Sequence, residues 1–264
     1  MTAVSMLSYD DSLGRVRADM TAVRSSLGHD DTGLLERSLD QIRWTTVRGG
    51  SGAAVSFTAR DVDDYEFTPG VTNYYRLTPG TGSVQTDDIA PVLDSVWLKD
   101  LARPFLNMKV KLAAPGDITR ASRSATFDVI GRNPPVAVTM ARGLRQFDLV
   151  VKTATDDAMA GLAALLDPGD VLLLQVPSDY PAPLGGYYLP GDAVESRNGG
   201  VWQARWTTIS LTEAAAPGPD IIGGTITWAG LPALYASWDD LSAAVDSWND
   251  LAETVGAPGD VVVT

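Results

Sequence analysis

Apolar and polar positions alternate with a period of two along residues 15–23 (Arg-Val-Arg-Ala-Asp-Met-Thr-Ala-Val), the pattern of a strand with one buried face. Residues 33–38 and 42–47 repeat the theme on either side of a turn at Leu39, Asp40 and Gln41. The glycine-rich stretch 49–52 is followed by no helical pattern, so it reads as a loop between strands and not as a phosphate cradle. Residues 53–59 form the next strand, and 61–67 and 72–77 are expected to face each other across Thr68, Pro69 and Gly70. Roughly six short strands in residues 1–80 predict a β-sandwich.

The cluster of Pro, Gly, Thr and Ser at 78–83 punctuates the chain and starts a linker expected over 81–95. A second unit follows over 96–211. Its strand candidates are 96–98, 108–112, 125–130, 145–153 and 171–176, then a closing antiparallel pair, 186–197 with 201–211, around Asn198-Gly199-Gly200. Residues 171–176 are continuously apolar, the pattern of a strand covered on both faces. One helix is expected over 155–166. Thr155 is its N-cap, Asp156 and Asp157 suit its first turn, Met159, Leu162, Leu165 and Leu166 form its apolar stripe, and Pro168-Gly169 stops it. The unit is therefore a β-sandwich or barrel with one helix packed on it.

Residues 212–224 read as a second linker, and beyond them lies a ten-residue repeat, Ser-Trp-Asp-Asp-Leu at 237–241 and Ser-Trp-Asn-Asp-Leu at 247–251. Each Ser can cap a helix whose third residue is Asp. Leu234, Trp238, Leu241, Val245, Trp248 and Val255 also fall at helical spacing, so the segment forms either two short helices or one amphipathic helix. The chain as a whole is expected to be mainly β, with a short helical C-terminal arm at 212–264.

Charge sharpens this picture. The chain of 264 residues carries a net −13, distributed as −3 over residues 1–80, −2 over 81–211 and −8 over 212–264, which hold no Lys or Arg. Residues 99–152 run the other way at +6; Lys109, Lys111, Arg120, Arg123, Arg142 and Arg145 are the candidate interaction residues of this basic segment. A basic stretch and an acidic tail can pair within the molecule or between copies. The alternative for the tail is a solvated end that only aids solubility. The overall acidity argues against nucleic acid or a membrane surface as partner.

Several chemistries are excluded or weakened. With no Cys and His29 as the single histidine, disulfides, thiolate sites, cysteine nucleophiles and multi-histidine metal centres are unavailable. The Asp doublets at 10–11, 30–31, 63–64, 87–88, 156–157 and 239–240 lack the spacing of a calcium loop and suit turns and caps, with a weak calcium site as the alternative. No nucleophile elbow, Walker loop or dinucleotide fingerprint occurs, so no catalytic residue, no metal and no cofactor is assigned and the chain is read as a non-enzyme. No run approaches the ~18 apolar residues of a membrane span, and no secretory signal follows Met1.

A stretch of about 40 residues cannot build much of a core alone. The stripe of Leu234, Trp238, Leu241, Val245, Trp248 and Leu251 must therefore dock on its own domain or on another subunit. Docking in trans makes it an assembly arm with the two Trp as anchors.

Several strings resemble those of minor tail proteins of long-tailed phages infecting actinobacteria. They are Val96-Trp97-Leu98-Lys99-Asp100 with 102–107, Phe127-Asp128-Val129-Ile130-Gly131-Arg132, 169–177, 211–213 with 216–220, and the Trp-x-Asp-Leu repeats. The 96–211 unit is similar to the ring-forming, tail-tube-like domain of distal tail proteins. The N-terminal unit is similar to immunoglobulin-like or fibronectin type III modules, with Trp44 as the core Trp of its strand and 71–77 as the strand carrying its Tyr residues. Against that family, 1–11 is too polar for a first strand, and no large receptor-binding insertion is present. The resemblance implies a structural protein of the virion tail tip, made in the host cytoplasm and forming a hexameric ring with copies of itself. Its other partners would be the tail tube and tip proteins. The competing reading is a carbohydrate- or cell-wall-binding module with Tyr74, Tyr75, Tyr187, Tyr188 and Trp202 as sugar platforms.

Overall fold

In the computed structural model the described residues are 6–20, 31–55, 61–80, 84–128, 130–131, 133, 136–180, 184–197, 204–218, 221–222, 235, 237–244 and 262–263. The protein is mainly β. It divides into two compact units: one of Met1–Lys109, Leu173–Gly185 and Pro217–Thr264, the other of Val110–Leu172 and Gly186–Ala216.

Among the described residues, the N-terminal stretch of the first unit forms two sheets. β1 (Leu7–Asp10), β2 (Arg15–Ala18) and β5 (Val62–Asp64) form one, in the order β1-β2-β5. β3 (Asp31–Ser38), β4 (Thr45–Val55), β6 (Asn73–Pro79) and β7 (Gln85–Ile89) form the other, in the order β4-β3-β6-β7. This three-plus-four division is that of an immunoglobulin-like sandwich. Alternation fills its interior: β6 buries Asn73, Tyr75, Leu77 and Pro79 and leaves the residues between them half-buried. Met6, Val16, Ala18 and Val62 meet Leu35, Val47, Tyr75 and Leu77 in one core with Phe67, Leu93 and Trp97. On the other face of β2, Arg15 and Arg17 both reach Asp63, at 2.6 and 2.9 Å.

Sequence expectation and structure part at several places here. The polar start does form a strand, because Leu7 is buried and the register Leu7↔Ala18 to Asp10↔Arg15 pairs it with β2. The expected glycine loop at 49–52 lies inside β4, whose pairing with β3 shifts register around Leu34. Glycine is required there: a Cβ on Gly50 would lie 2.8 Å from the carbonyl oxygens of Leu35 and Val47. The segments at 61–67 and 72–77 are not hairpin partners; β5 pairs with β2 and β6 with β3 and β7. They meet through side chains instead, the Tyr75 hydroxyl donating to Asp64 at 2.7 Å beside the Arg37–Asp64 ion pair. The 81–95 linker contains β7, paired with β6. The core Trp is Trp97, 2% exposed, whereas Trp44 is half-buried with the Arg76 guanidinium 4.2 Å from its ring centroid.

Trp97 belongs to β8 (Val96–Asp100), expected to open the second unit but buried throughout in the first. β8 hydrogen-bonds to β14 (Leu172–Gln175), all of whose residues are buried, as its unbroken apolar run predicts. The 96–211 partition is thus interrupted, with 96–109 and 173–185 grouping with the N-terminal residues.

β9 (Met108–Pro115) carries the chain into the second unit, through a single 3-10 turn at Pro104–Leu106 just before it. There β10 (Thr119–Arg120), β13 (Arg145–Thr153), β16 (Arg205–Glu213) and β15 (Gly186–Arg197) are neighbours in that order, and β9 also pairs with β13. Phe147, Leu149 and Val151 of β13 and Ile209 and Leu211 of β16 are buried; Phe147 meets Tyr188 edge-on at 5.1 Å. Helix α1 (Asp156–Leu166) begins as expected, with the Thr155 side chain accepting from the Ala158 amide and Leu162 and Leu165 buried. β11 (Ser124–Phe127) and β12 (Val136–Thr139) form a separate two-stranded sheet.

Candidate interaction surface

The six basic residues singled out from the sequence do not form one patch of free charge. Lys109, in the first unit, bridges Asp11 at 2.6 Å and Asp94 at 3.0 Å. Arg145 is held by Glu213, which accepts from its amide and from Nε, each at 2.9 Å. Lys111, Arg120, Arg123 and Arg142 are exposed and, among the described residues, make no ion pair.

Arg120, Arg123 and Arg142 flank the β11–β12 hairpin. Its legs are tied below the strands by Gly143 N–H to the Ala121 carbonyl at 2.8 Å and Met140 N–H to the Arg123 carbonyl at 3.1 Å. The register pairs Ala125 with Val138 and Phe127 with Val136, while Ser124 faces Thr139 and Thr126 faces Ala137. Because successive side chains alternate between faces, one face holds Ala125, Phe127, Val136 and Val138. The opposite face is largely hydroxylated. The apolar face is nevertheless in water: Phe127 is 55% and Val138 51% exposed, and the adjoining Met140 is 70% exposed.

The C-terminal segment is only partly described. Leu234, Val245, Trp248 and Leu251 lie outside the described residues. The described part groups with the first unit of its own chain. Arg48 donates to the carbonyls of Pro217 and Gly218, the former at 3.2 Å. β17 (Ile221–Ile222) pairs with β18 (Val262–Val263) inside the expected linker and tail. Helix α2 (Trp238–Ala244) is capped by Ser237, whose hydroxyl accepts from the Asp240 amide at 3.2 Å, the capping expected of the first repeat. Leu241 is buried and Trp238 is 65% exposed. Residues 217 and 218 dock in cis, and the second repeat lies outside the described residues.

Of the sugar-platform candidates, Tyr75 and Tyr188 are interior residues at 1% exposure, Tyr74 and Tyr187 are half-buried, and Trp202 lies outside the described residues. Aspartates of the doublets cap and pair: Asp10 accepts from the Ser12 and Leu13 amides, Asp87 from the Met6 amide, and Asp156 pairs with Arg205. Among the described residues no three carboxylate or His side chains converge to hold a metal.

The sequence reading missed Lys99, which is fully buried. Its Nζ donates to the Gly14 carbonyl, the Tyr65 carbonyl at 3.1 Å and Gln175 Oε1 at 2.5 Å, and sits 4.9 Å from the Phe67 ring centroid. Gln175 in turn donates to the Phe67 carbonyl at 2.7 Å. Burial pushes the Lys99 pKa down to about 7, with Asp64 and Glu66 opposing that shift. The one local signal is a lysine that directly continues the apolar run Val96-Trp97-Leu98 within one strand.

No known family profile matches the chain, and no curated protein matches it in sequence.

Proposed function

We propose that this chain is a structural, non-enzymatic component of a phage virion tail tip. In this reading it is a distal tail or baseplate ring protein that assembles with copies of itself around the tail axis and connects the tail tube to tip proteins. The observation that carries the self-assembly part is the β11–β12 hairpin, with one apolar face in water. Monomeric proteins seldom leave a contiguous apolar face uncovered unless something docks on it. The resemblance of strings within residues 96–256, the Trp-x-Asp-Leu repeats among them, to minor tail proteins supplies the virion setting. Closure of a ring also removes exposed strand edges.

The C-terminal segment stays in this proposal as a second contact between copies, with Trp238 of the first repeat 65% exposed. Mass photometry and negative-stain imaging of the purified full chain test the reading. Closed rings of uniform copy number are expected, and a monodisperse monomer up to ~100 μM, a weak-affinity concentration, would overturn it.

A further inference from the structure

The self-assembly reading leaves open what covers the hairpin, and the inference here rests on that reading. We infer that the apolar face of β11–β12 docks on the first unit of a second copy of this chain.

Two independent features of the molecule lead there. The first is shape and polarity. Ala125, Phe127, Val136 and Val138 form one side of a two-stranded sheet, extended by Met140, and this side is exposed in the single chain. An isolated two-stranded hairpin is marginal in water, so a face of this kind gains order as well as burial when it is covered. The second is charge. The two legs, residues 118–127 and 136–144, carry Arg120, Arg123 and Arg142 and no carboxylate. The first unit carries a net −12 of the chain's −13, and the second a net −1. A basic, greasy hairpin and a strongly acidic unit therefore recur once in every copy.

That complementarity decides between two ways in which copies could meet. Hairpin on hairpin would be isologous and would bury the apolar faces against each other, but it would bring six arginines together. Hairpin on the acidic unit of the next copy is heterologous and pairs opposite charges. Heterologous contacts are the kind that close into rings when the rotation permits. The three arginines then steer and orient the encounter, while Phe127 and Val138 supply the buried contact.

The test uses the full chain in sedimentation velocity from 1 to about 100 μM, a span that covers weak and moderate association. It is run at low and at high salt. The wild type should associate, and raised salt should weaken the association, because exposed opposite charges are screened. The double variant Phe127→Ser with Val138→Ser should raise the dissociation constant by about tenfold or more. Both positions are exposed, so folding is expected to survive, as circular dichroism would verify. The triple variant Arg120→Glu, Arg123→Glu, Arg142→Glu should lose association at low salt. Val194→Ser, another exposed apolar position in the second unit, is the control and should change nothing.

Wild-type association that is unaffected by both hairpin variants overturns the hairpin contact while leaving self-assembly intact. Association strengthened by salt overturns the acidic-unit partner in favour of hairpin-on-hairpin packing. A chain that stays monomeric in all conditions overturns the contact together with the self-assembly reading.

Discussion

Lys99 offers the sharpest test of how the core of the first unit is held, through the replacement Lys99→Met. Methionine keeps an unbranched side chain in the space beside Phe67 and Trp97 but removes the three donors serving Gly14, Tyr65 and Gln175. The pKa is lowered from 10.5 to about 7 by burial. In the folded chain the lysine therefore sheds its proton well before it does in the unfolded chain. Between pH 7 and 10.5 the unfolded state binds more protons than the folded one, so stability must rise with pH across that window. Below pH 7 both states are protonated and the slope vanishes. At 1.36 kcal/mol per unit, the full shift is worth about 5 kcal/mol, of which roughly 2.5 kcal/mol falls between pH 6 and pH 9.

The variant lacks this term but leaves buried acceptors unpaired, at a cost of ~1–3 kcal/mol each. Urea titrations at pH 6, 7, 8 and 9, followed by tryptophan fluorescence, read the difference directly, since every other titrating group is common to both chains. The wild-type midpoint should climb relative to the variant's by about 1 M across this range. The variant should be less stable throughout, and its deficit should be about 2.5 kcal/mol larger at pH 9 than at pH 6. A wild type and variant separated by the same interval at every pH would refute the reasoning. It would mean that the three acceptors keep the ammonium charged throughout.

Three further outcomes follow from local geometry. Gly70 has φ +71°, and a Cβ there would lie 2.2 Å from Ser178 Oγ, so Gly70→Ala should cost about 2 kcal/mol or more, seen as a lowered Tm. Pairing it with Ser178→Gly should recover only the part due to the clash. Asp64→Ala strands the Arg37 guanidinium and the Tyr75 hydroxyl and should cost ~3–5 kcal/mol by chemical denaturation. Asp64→Asn should cost less, since it keeps an acceptor for Tyr75. Thr155→Ala removes the cap of α1 and should cost about 1 kcal/mol, with faster hydrogen exchange at the Ala158 amide.

What residues 145–197 form was legible because their signals are local. Alternation at Arg145–Thr153, a capping Thr before Asp156 and the run at Leu172–Gln175 each fix an element through its own few residues. The mainly β character, the Asp40 turn between β3 and β4 and the Ser237 cap came from the same kind of short-range chemistry.

What the tertiary structure alone decided is which elements share a core. Trp97 and Lys99 lie beyond the turn-rich stretch at 78–83, yet they pack with residues as distant as Met6, Gly14 and Gln175. Period-two alternation says that a strand has a buried side, but not which sheet covers it. For the same reason 61–67 and 72–77 read as partners across a turn, while β5 pairs with β2 and β6 lies between β3 and β7. The hairpin at 124–139 inverts the problem. Its residues spell a buried face, yet in the folded chain Phe127 and Val138 are exposed.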